Sequence, residues 1–354
     1  MLEYKPDYEE CMKRIDAWWH CEVIDRALTF ITVQRPDSPP PPPSHHENLA
    51  DRWLDIEYMV ARAQHHCRTT MHLGDAIPKF HPNLGPSVFS ALYGCPLIFG
   101  PRSSWTKPIL DSWDDADSIT LDLDSQYFKQ YHAMTDALLE AGKGKWITSL
   151  WDIHTGGDHL ACLRGTENLC MDLLAEPDAI KRFLDRMHDG WMQIFDSYWQ
   201  KIHAAGLPTG CYHPMVAEGR FYVVNDDFTC MISTEMYDEF FRPLIQRQCQ
   251  FLDHSLYHLD GPDALRHLDS ILEIPELDAV QFQMGASNYG YRKWIDVYQR
   301  IQASGKGLEV ICDAGELPLV METLRPEGVF LRVGRVKSAE HADSVLKDIG
   351  TWGC

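Results

Sequence analysis

Short runs rich in β-branched and aromatic residues alternate with longer amphipathic runs along this chain, and no other feature constrains its fold as much. The β-rich runs are Leu28–Gln34, Leu73–Phe80, Trp146–Asp152, Gly210–Pro214, Ser255–Asp260, Ala279–Met284, Leu308–Asp313 and Gly328–Val333. The apolar spacing predicts helices over Tyr8–Cys21, Asn48–Thr70, Phe128–Ala141, Glu176–Ala205, Thr234–Leu252, Tyr291–Ala303 and Ala339–Asp348. Strands alternating with helices pair in parallel through right-handed crossovers. Eight such units in 354 residues predict an α/β fold of the (β/α)8 TIM-barrel type. An open doubly wound sheet is the competitor. It carries a phosphate-binding glycine loop after its first strand, whereas here Arg35-Pro-Asp-Ser leads into prolines. The expected organisation is a short N-terminal helical extension, residues 1–27, and a single barrel domain, residues 28–354.

The five-proline run Pro39–Pro43 cannot donate backbone hydrogen bonds, so it reads as an exposed connector after the first strand. Formal net charge is −20, a field that repels phosphate backbones and anionic lipid. The expected partner is a small molecule, not nucleic acid or a membrane; a homodimer is compatible with the sequence. No apolar stretch approaches the roughly 20 residues of a membrane span. The acidic N-terminus lacks an apolar signal core, and eleven cysteines without CxxC pairs fit free thiols, so a cytoplasmic location is expected.

Barrel chemistry sits at the C-terminal strand ends, so the polar residues there are the candidates. His258 and Asp260 lie two apart in a strand and project to one side, which suits two metal ligands or an imidazole beside a carboxylate. Cys312 is a candidate soft third ligand. Asp152 and His154 repeat the same spacing next to Trp151; either that ring shelves a planar substrate, or Trp151 is core and Asp152 caps the following helix. Asp75 follows Gly74 in an apolar strand, where an unpaired carboxylate is costly. It is either a general acid or base with a raised pKa or half of a salt bridge. Asp227, in the loop Arg220–Asp227, either joins the catalytic set or satisfies loop amides. His81, Asn83, Tyr222, Gln283 and Arg332 complete the substrate-binding candidates. Neither a GxSxG motif nor a protease-type cysteine signature supports nucleophilic catalysis.

Five segments, in this order, resemble the uroporphyrinogen decarboxylase-like superfamily: His72-Leu-Gly-Asp-Ala76, Pro82-Asn-Leu-Gly-Pro86, Leu163-Arg-Gly-Thr-Glu-Asn168, Asp226-Asp-Phe-Thr-Cys-Met-Ile-Ser233 and Tyr257-His-Leu-Asp-Gly-Pro262. With the later strands the resemblance spans about residues 70–335. That superfamily also contains cobalamin-independent methionine synthase and the zinc-dependent corrinoid and coenzyme M methyltransferases, and its fold is a (β/α)8 barrel. By order along the chain, Asp75 falls at the essential aspartate of the decarboxylase. The arginine-rich RQAGRY-type segment that clamps tetrapyrrole carboxylates is absent. His258-x-Asp260 stands where the methyltransferase branch has an H-x-C zinc pair, with Asp replacing Cys.

The resemblance implies a metal-assisted methyltransferase or demethylase. Zinc would be held by His258, Asp260 and Cys312, with Asp75, Asp152, His154 and Asp227 handling protons. The methyl group would pass between a small substrate and a thiol or a corrinoid carried on a separate protein. The alternatives are a cofactor-free decarboxylase of a small carboxylic acid, centred on Asp75, and a non-catalytic binding barrel.

Overall fold

The structure is a computed structural model that describes residues 2–285 and 288–353. Its elements, in chain order, begin with α1 (Tyr8–Trp19), β1 (Leu28–Gln34), α2 (Leu49–Leu54), α3 (Ile56–Thr69), β2 (Thr70–Gly74) and β3 (Lys79–Phe80). Next come α4 (Val88–Ala91), β4 (Leu97–Phe99), β5 (Ser104–Thr106), α5 (Gln126–Gly142), β6 (Ile147–Thr148), α6 (Gly156–Arg164), α7 (Thr166–Ala175) and α8 (Pro177–Ala204). The middle holds β7 (Thr209–Gly210), β8 (Val216–Ala217), β9 (Phe221–Asn225), α9 (Thr234–Met236), α10 (Arg242–Phe251), β10 (His254–Asp260) and α11 (Leu268–Leu272). The chain closes with β11 (Ala279–Gln283), α12 (Ile295–Ala303), β12 (Gly307–Asp313), α13 (Leu317–Thr323), β13 (Val329–Gly334) and α14 (Ala339–Ile349).

Seven strands form the central sheet in the order β2-β1-β13-β12-β11-β10-β9. All neighbours pair in parallel except β1 and β2. β3 and β6 make a separate parallel pair, extended by Ser149 N–H to the Phe80 carbonyl (2.8 Å) and Leu150 N–H to the Gly210 carbonyl (2.8 Å). The fold is thus α/β with a mostly parallel sheet. The helices form because one stripe of each is apolar. In α8, Ile180, Phe183, Leu184, Met187, Trp191, Ile194, Tyr198 and Ile202 recur at three- and four-residue steps and all are buried.

The expected strands Trp146–Asp152 and Gly210–Pro214 shorten to Ile147–Thr148 and Thr209–Gly210, and two further segments differ. Leu73–Phe80 is not one strand: Gly74, at φ +63°, ends an antiparallel strand, and Pro78 has no N–H to offer a ladder. The segment Phe221–Asn225, expected as loop, is a fully buried strand, as its FYVVN sequence befits. The proline segment lies as expected between β1 and α2, without regular structure.

α1 marks one end of the sheet. The Trp18 indole N–H donates to the Gly328 carbonyl (2.8 Å), just before β13, and Trp19 stacks on His254 at the start of β10. The N-terminal strand ends therefore face α1, and the C-terminal ends form the opposite mouth. Among the described residues no helix is long and apolar enough to cross a membrane, and all ten cysteines are unpaired.

Candidate functional site

At the mouth, β10 ends in His258 and Asp260, and the loop after β9 brings Asp227 to meet them. One donor atom from each lies within 4.8 Å of the others. A second group, His154, Asp158 and Asp227, satisfies the same criterion, so Asp227 is common to both. The His258 Nδ1–H donates to the Gln281 side-chain oxygen on the neighbouring strand. That hydrogen bond spends Nδ1 and leaves Nε2 with a lone pair, the arrangement an imidazole ligand needs. The Asp227 Oδ1 atom is buried and accepts no hydrogen bond from the described residues. A vacant imidazole nitrogen and an orphaned carboxylate oxygen beside Asp260 are a donor set that fits a divalent cation.

Asp227 is costly to charge here. Burial, and then the neighbouring Asp158, push its carboxyl up to about 6. Asp226 beside it is buried deeper; burial and Asp158 raise it well above the usual carboxylate range, although its Oδ2 accepts the Gly157 N–H (2.8 Å). Asp158 is spent on the backbone, accepting the amides of Asp227 and Phe228 at 2.9 Å each. It pins the loop that carries Asp227. This lock needs close approach: a Cβ on Gly156 would stand 2.2 Å from Asp226 Oδ2, and one on Gly157 2.4 Å from the Phe228 ring.

His154 lies between two carboxylates, 2.9 Å from Asp152 and 3.4 Å from Asp158. Burial disfavours its charge, but the two aspartates outweigh burial and hold its pKa well above that of a free imidazole. The Tyr212 ring, 6.4 Å away, carries a buried hydroxyl without a hydrogen-bond partner among the described residues.

Beneath the mouth, Glu309 anchors a polar network. Its carboxylate accepts from Arg332 (2.9 Å), the Gln281 amide (3.1 Å) and His213 Nε2–H (2.5 Å). His213 Nδ1 accepts the Met215 N–H, and burial lowers the pKa of this imidazole, so the neutral Nε2–H tautomer is the consistent one. Burial opposes ionisation of Glu309, yet the hydrogen bonds from His213 and Arg332 and the positive charge of Arg332 outweigh it and hold the carboxyl well below the glutamate range. Gln281 thus links His258 to a fixed anion.

The remaining candidates fall in three places. His81, Asn83 and Arg332 line cavities beside the mouth. Gln283 stands opposite Asp260 in register, its side chain exposed. Trp151, Tyr222, Cys312 and Asp75 lie elsewhere. Trp151 is fully buried and stacks on Tyr131 (4.4 Å) as core. The Tyr222 hydroxyl donates to the Trp151 carbonyl and accepts the Ile153 N–H, tying β9 to the segment between β6 and α6. Cys312 faces away: Glu309 and Ile311 point inward, so period two turns Cys312 outward, towards Tyr291 and Tyr298. Burial pushes its thiol up to about 12, and it belongs to neither donor group.

Asp75 is at the wrong end for the mouth. Its carboxylate accepts two hydrogen bonds from Arg26 (2.5 and 2.9 Å), one from Arg14 (3.3 Å) and one from the Thr29 amide (3.0 Å). Thr29 is the second residue of β1, beside α1 and about 16 Å from the C-terminal end of that strand at ~3.3 Å per residue. The salt-bridge reading holds for Asp75. Sequence reasoning missed Asp158, Glu309 and Lys79. Asp158 follows His154 by the i, i+4 helical step, the one local signal that pointed to it.

No protein-family model matches this chain, and no curated protein matches its sequence. Among solved structures, a methyltransferase from Methanosarcina mazei superposes with a TM-score of 0.61 over 96% of this chain and 98% of that one, at 11% identity. That likeness concerns the fold.

Proposed function

We propose that this chain is a metal-assisted enzyme that moves a methyl group between a small substrate and a thiol or a corrinoid presented by a separate protein. The observation that carries the reading is the convergence of Asp227, His258 and Asp260 at the C-terminal strand ends. The likeness in fold to the Methanosarcina mazei methyltransferase supports it. In this reading the sheet and the β3–β6 pair close into one (β/α)8 barrel domain preceded by the helical extension.

Asp227, His258 and Asp260 would hold the cation; zinc accepts this nitrogen–oxygen set without a thiolate. When bound, it supplies Lewis-acid polarisation of a leaving heteroatom. Gln281 fixes the His258 ring, and Asp158 holds the Asp227 loop against α6. His154, kept protonated by Asp152 and Asp158, delivers a proton to the departing oxygen or nitrogen. The Tyr212 ring and hydroxyl form the substrate wall. The decarboxylase alternative loses the residue on which it was built, because Asp75 is bound by two arginines away from the mouth.

The test is transfer itself. Methyl-13C amines, ethers and thiols are incubated with metal-loaded protein and a thiol acceptor, and the methyl resonance is followed. A resonance that moves with wild type and not with H258A/D260A supports the reading. No transfer from any class, with or without added corrinoid protein, sinks it.

A further inference from the structure

Two adjoining chambers share a wall at Lys79 of β3. One, about 430 Å³, is lined by Thr32, His72, Tyr212 and Arg332; the other, about 550 Å³, by Arg52, Trp53, Arg62 and Arg102. His66, Lys79 and His81 line both. Neither lining contains an Asp or Glu, in a chain with 52 acidic residues against 32 basic ones. A concentration of positive charge in so acidic a chain runs against the chain-wide field.

Most of these cations also have no carboxylate partner among the described residues. Arg332 pairs with Glu309, but among the described residues no ion pair with a carboxylate involves Lys79, Arg52, Arg62 or Arg102. The Lys79 ammonium is inside the mouth and donates to the Cys211 carbonyl oxygen. Burial pulls its pKa down to about 8. Arg52 donates to the Pro101 carbonyl (2.6 Å) and lies 5.8 Å from the Trp53 ring centre; Arg62 lies 5.8 Å from that of Tyr58. These contacts hold the two guanidinium groups in place while leaving donors over. Desolvating a lone ammonium is costly, and an anionic ligand offsets that cost. Arginine forks suit planar or tetrahedral oxyanions.

We propose that the two chambers bind one small molecule with an acidic group at each end. Lys79 receives one group in the mouth, beside Arg332. Arg52, Arg62 and Arg102 receive the other in the side chamber. The shared chemistry is an oxyanion, a carboxylate or a phosphate. That this molecule is the enzyme's substrate rests on the methyl-transfer reading above; its binding does not, since no metal is involved.

The experiment is isothermal titration of the full chain at pH 7 and constant ionic strength. Adipate is compared with hexanoate, and butane-1,4-bisphosphonate with butylphosphonate, the two-headed member of each pair being the dianion of the comparison. The expected result is that at least one dianion binds tenfold or more tighter than its partner of lower charge; which pair separates identifies carboxylate or phosphate. R62Q/R102Q, at exposed side chains, erases the advantage and keeps its fold by circular dichroism. K79M weakens all four probes. H258A/D260A keeps the dianion affinity within twofold, whatever the metal content of the wild type. No dianion advantage in wild type, an advantage that survives R62Q/R102Q, or its loss in H258A/D260A would each overturn the proposal.

Discussion

Replacing Arg26 by Met removes two of the four hydrogen bonds to Asp75 and its nearest positive charge. Asp75 is fully buried, while the Arg26 and Arg14 side chains are 12% and 18% exposed. Breaking a buried pair by removing one partner typically costs ~3–5 kcal/mol. Arg14 at 3.3 Å and the Thr29 amide at 3.0 Å remain, which places the expected loss near ~3 kcal/mol, the lower end of that range. Against a total of ~5–15 kcal/mol this is a large fraction. Asp75→Asn should lose a similar amount, because it leaves two guanidinium groups facing a neutral amide. The double variant should cost about as much as either single one, giving a coupling energy of ~3 kcal/mol in the cycle. Urea unfolding followed by tryptophan fluorescence measures all three, with m unchanged. Metal content should match wild type in each. A D75N protein within ~0.5 kcal/mol of wild type, the scale of an ordinary surface change, would refute the structural assignment of Asp75. So would one that keeps its stability and loses turnover.

Gln281→Leu removes the acceptor of His258 Nδ1–H and should weaken metal affinity ~10–100-fold, read by competition with a chromogenic chelator, with little change in fold. Gly156→Ala and Gly157→Ala each force a methyl group against Asp226 or Phe228; melting should show a loss of at least ~1–3 kcal/mol, and Asp227 should lose its place with the Asp158 lock. For Glu309 the folded-state pKa is below the unfolded value. Its ionised form therefore stabilises the fold above the ordinary glutamate range near ~4.3, and that stability is lost as pH falls below it. The stability gap between wild type and E309Q should be level above pH ~5 and should shrink on acidification; a gap that widens in acid would contradict the network.

What the sequence revealed follows from how local each signal is. Period two in a single strand placed His258 and Asp260 together, and helical spacing located α8 within one residue at each end. The same period read from Glu309 would have turned Cys312 outward, but a lone Glu in an apolar strand gave no reason to choose it as the reference. Asp75 was ambiguous because its partners come from Arg14 and Arg26, 61 and 49 residues earlier and on different elements. Trp151 looked like a substrate shelf because nothing local announces Tyr131 as its stacking partner. The basic chambers were invisible for the same reason: Arg52, Arg62, Lys79, Arg102 and Arg332 converge only in three dimensions.

The central claim is that Asp227, His258 and Asp260 form a cation site. Elemental mass spectrometry on untagged protein, alongside D227N, H258A and D260A, tests it most directly. The account predicts about one divalent metal per chain in wild type, as a single site of this kind holds, lost in D227N and H258A and unaffected by Cys312→Ser. Metal-free wild type that retains no cation after reconstitution, or occupancy that survives D227N and H258A yet disappears with Cys312, would contradict it.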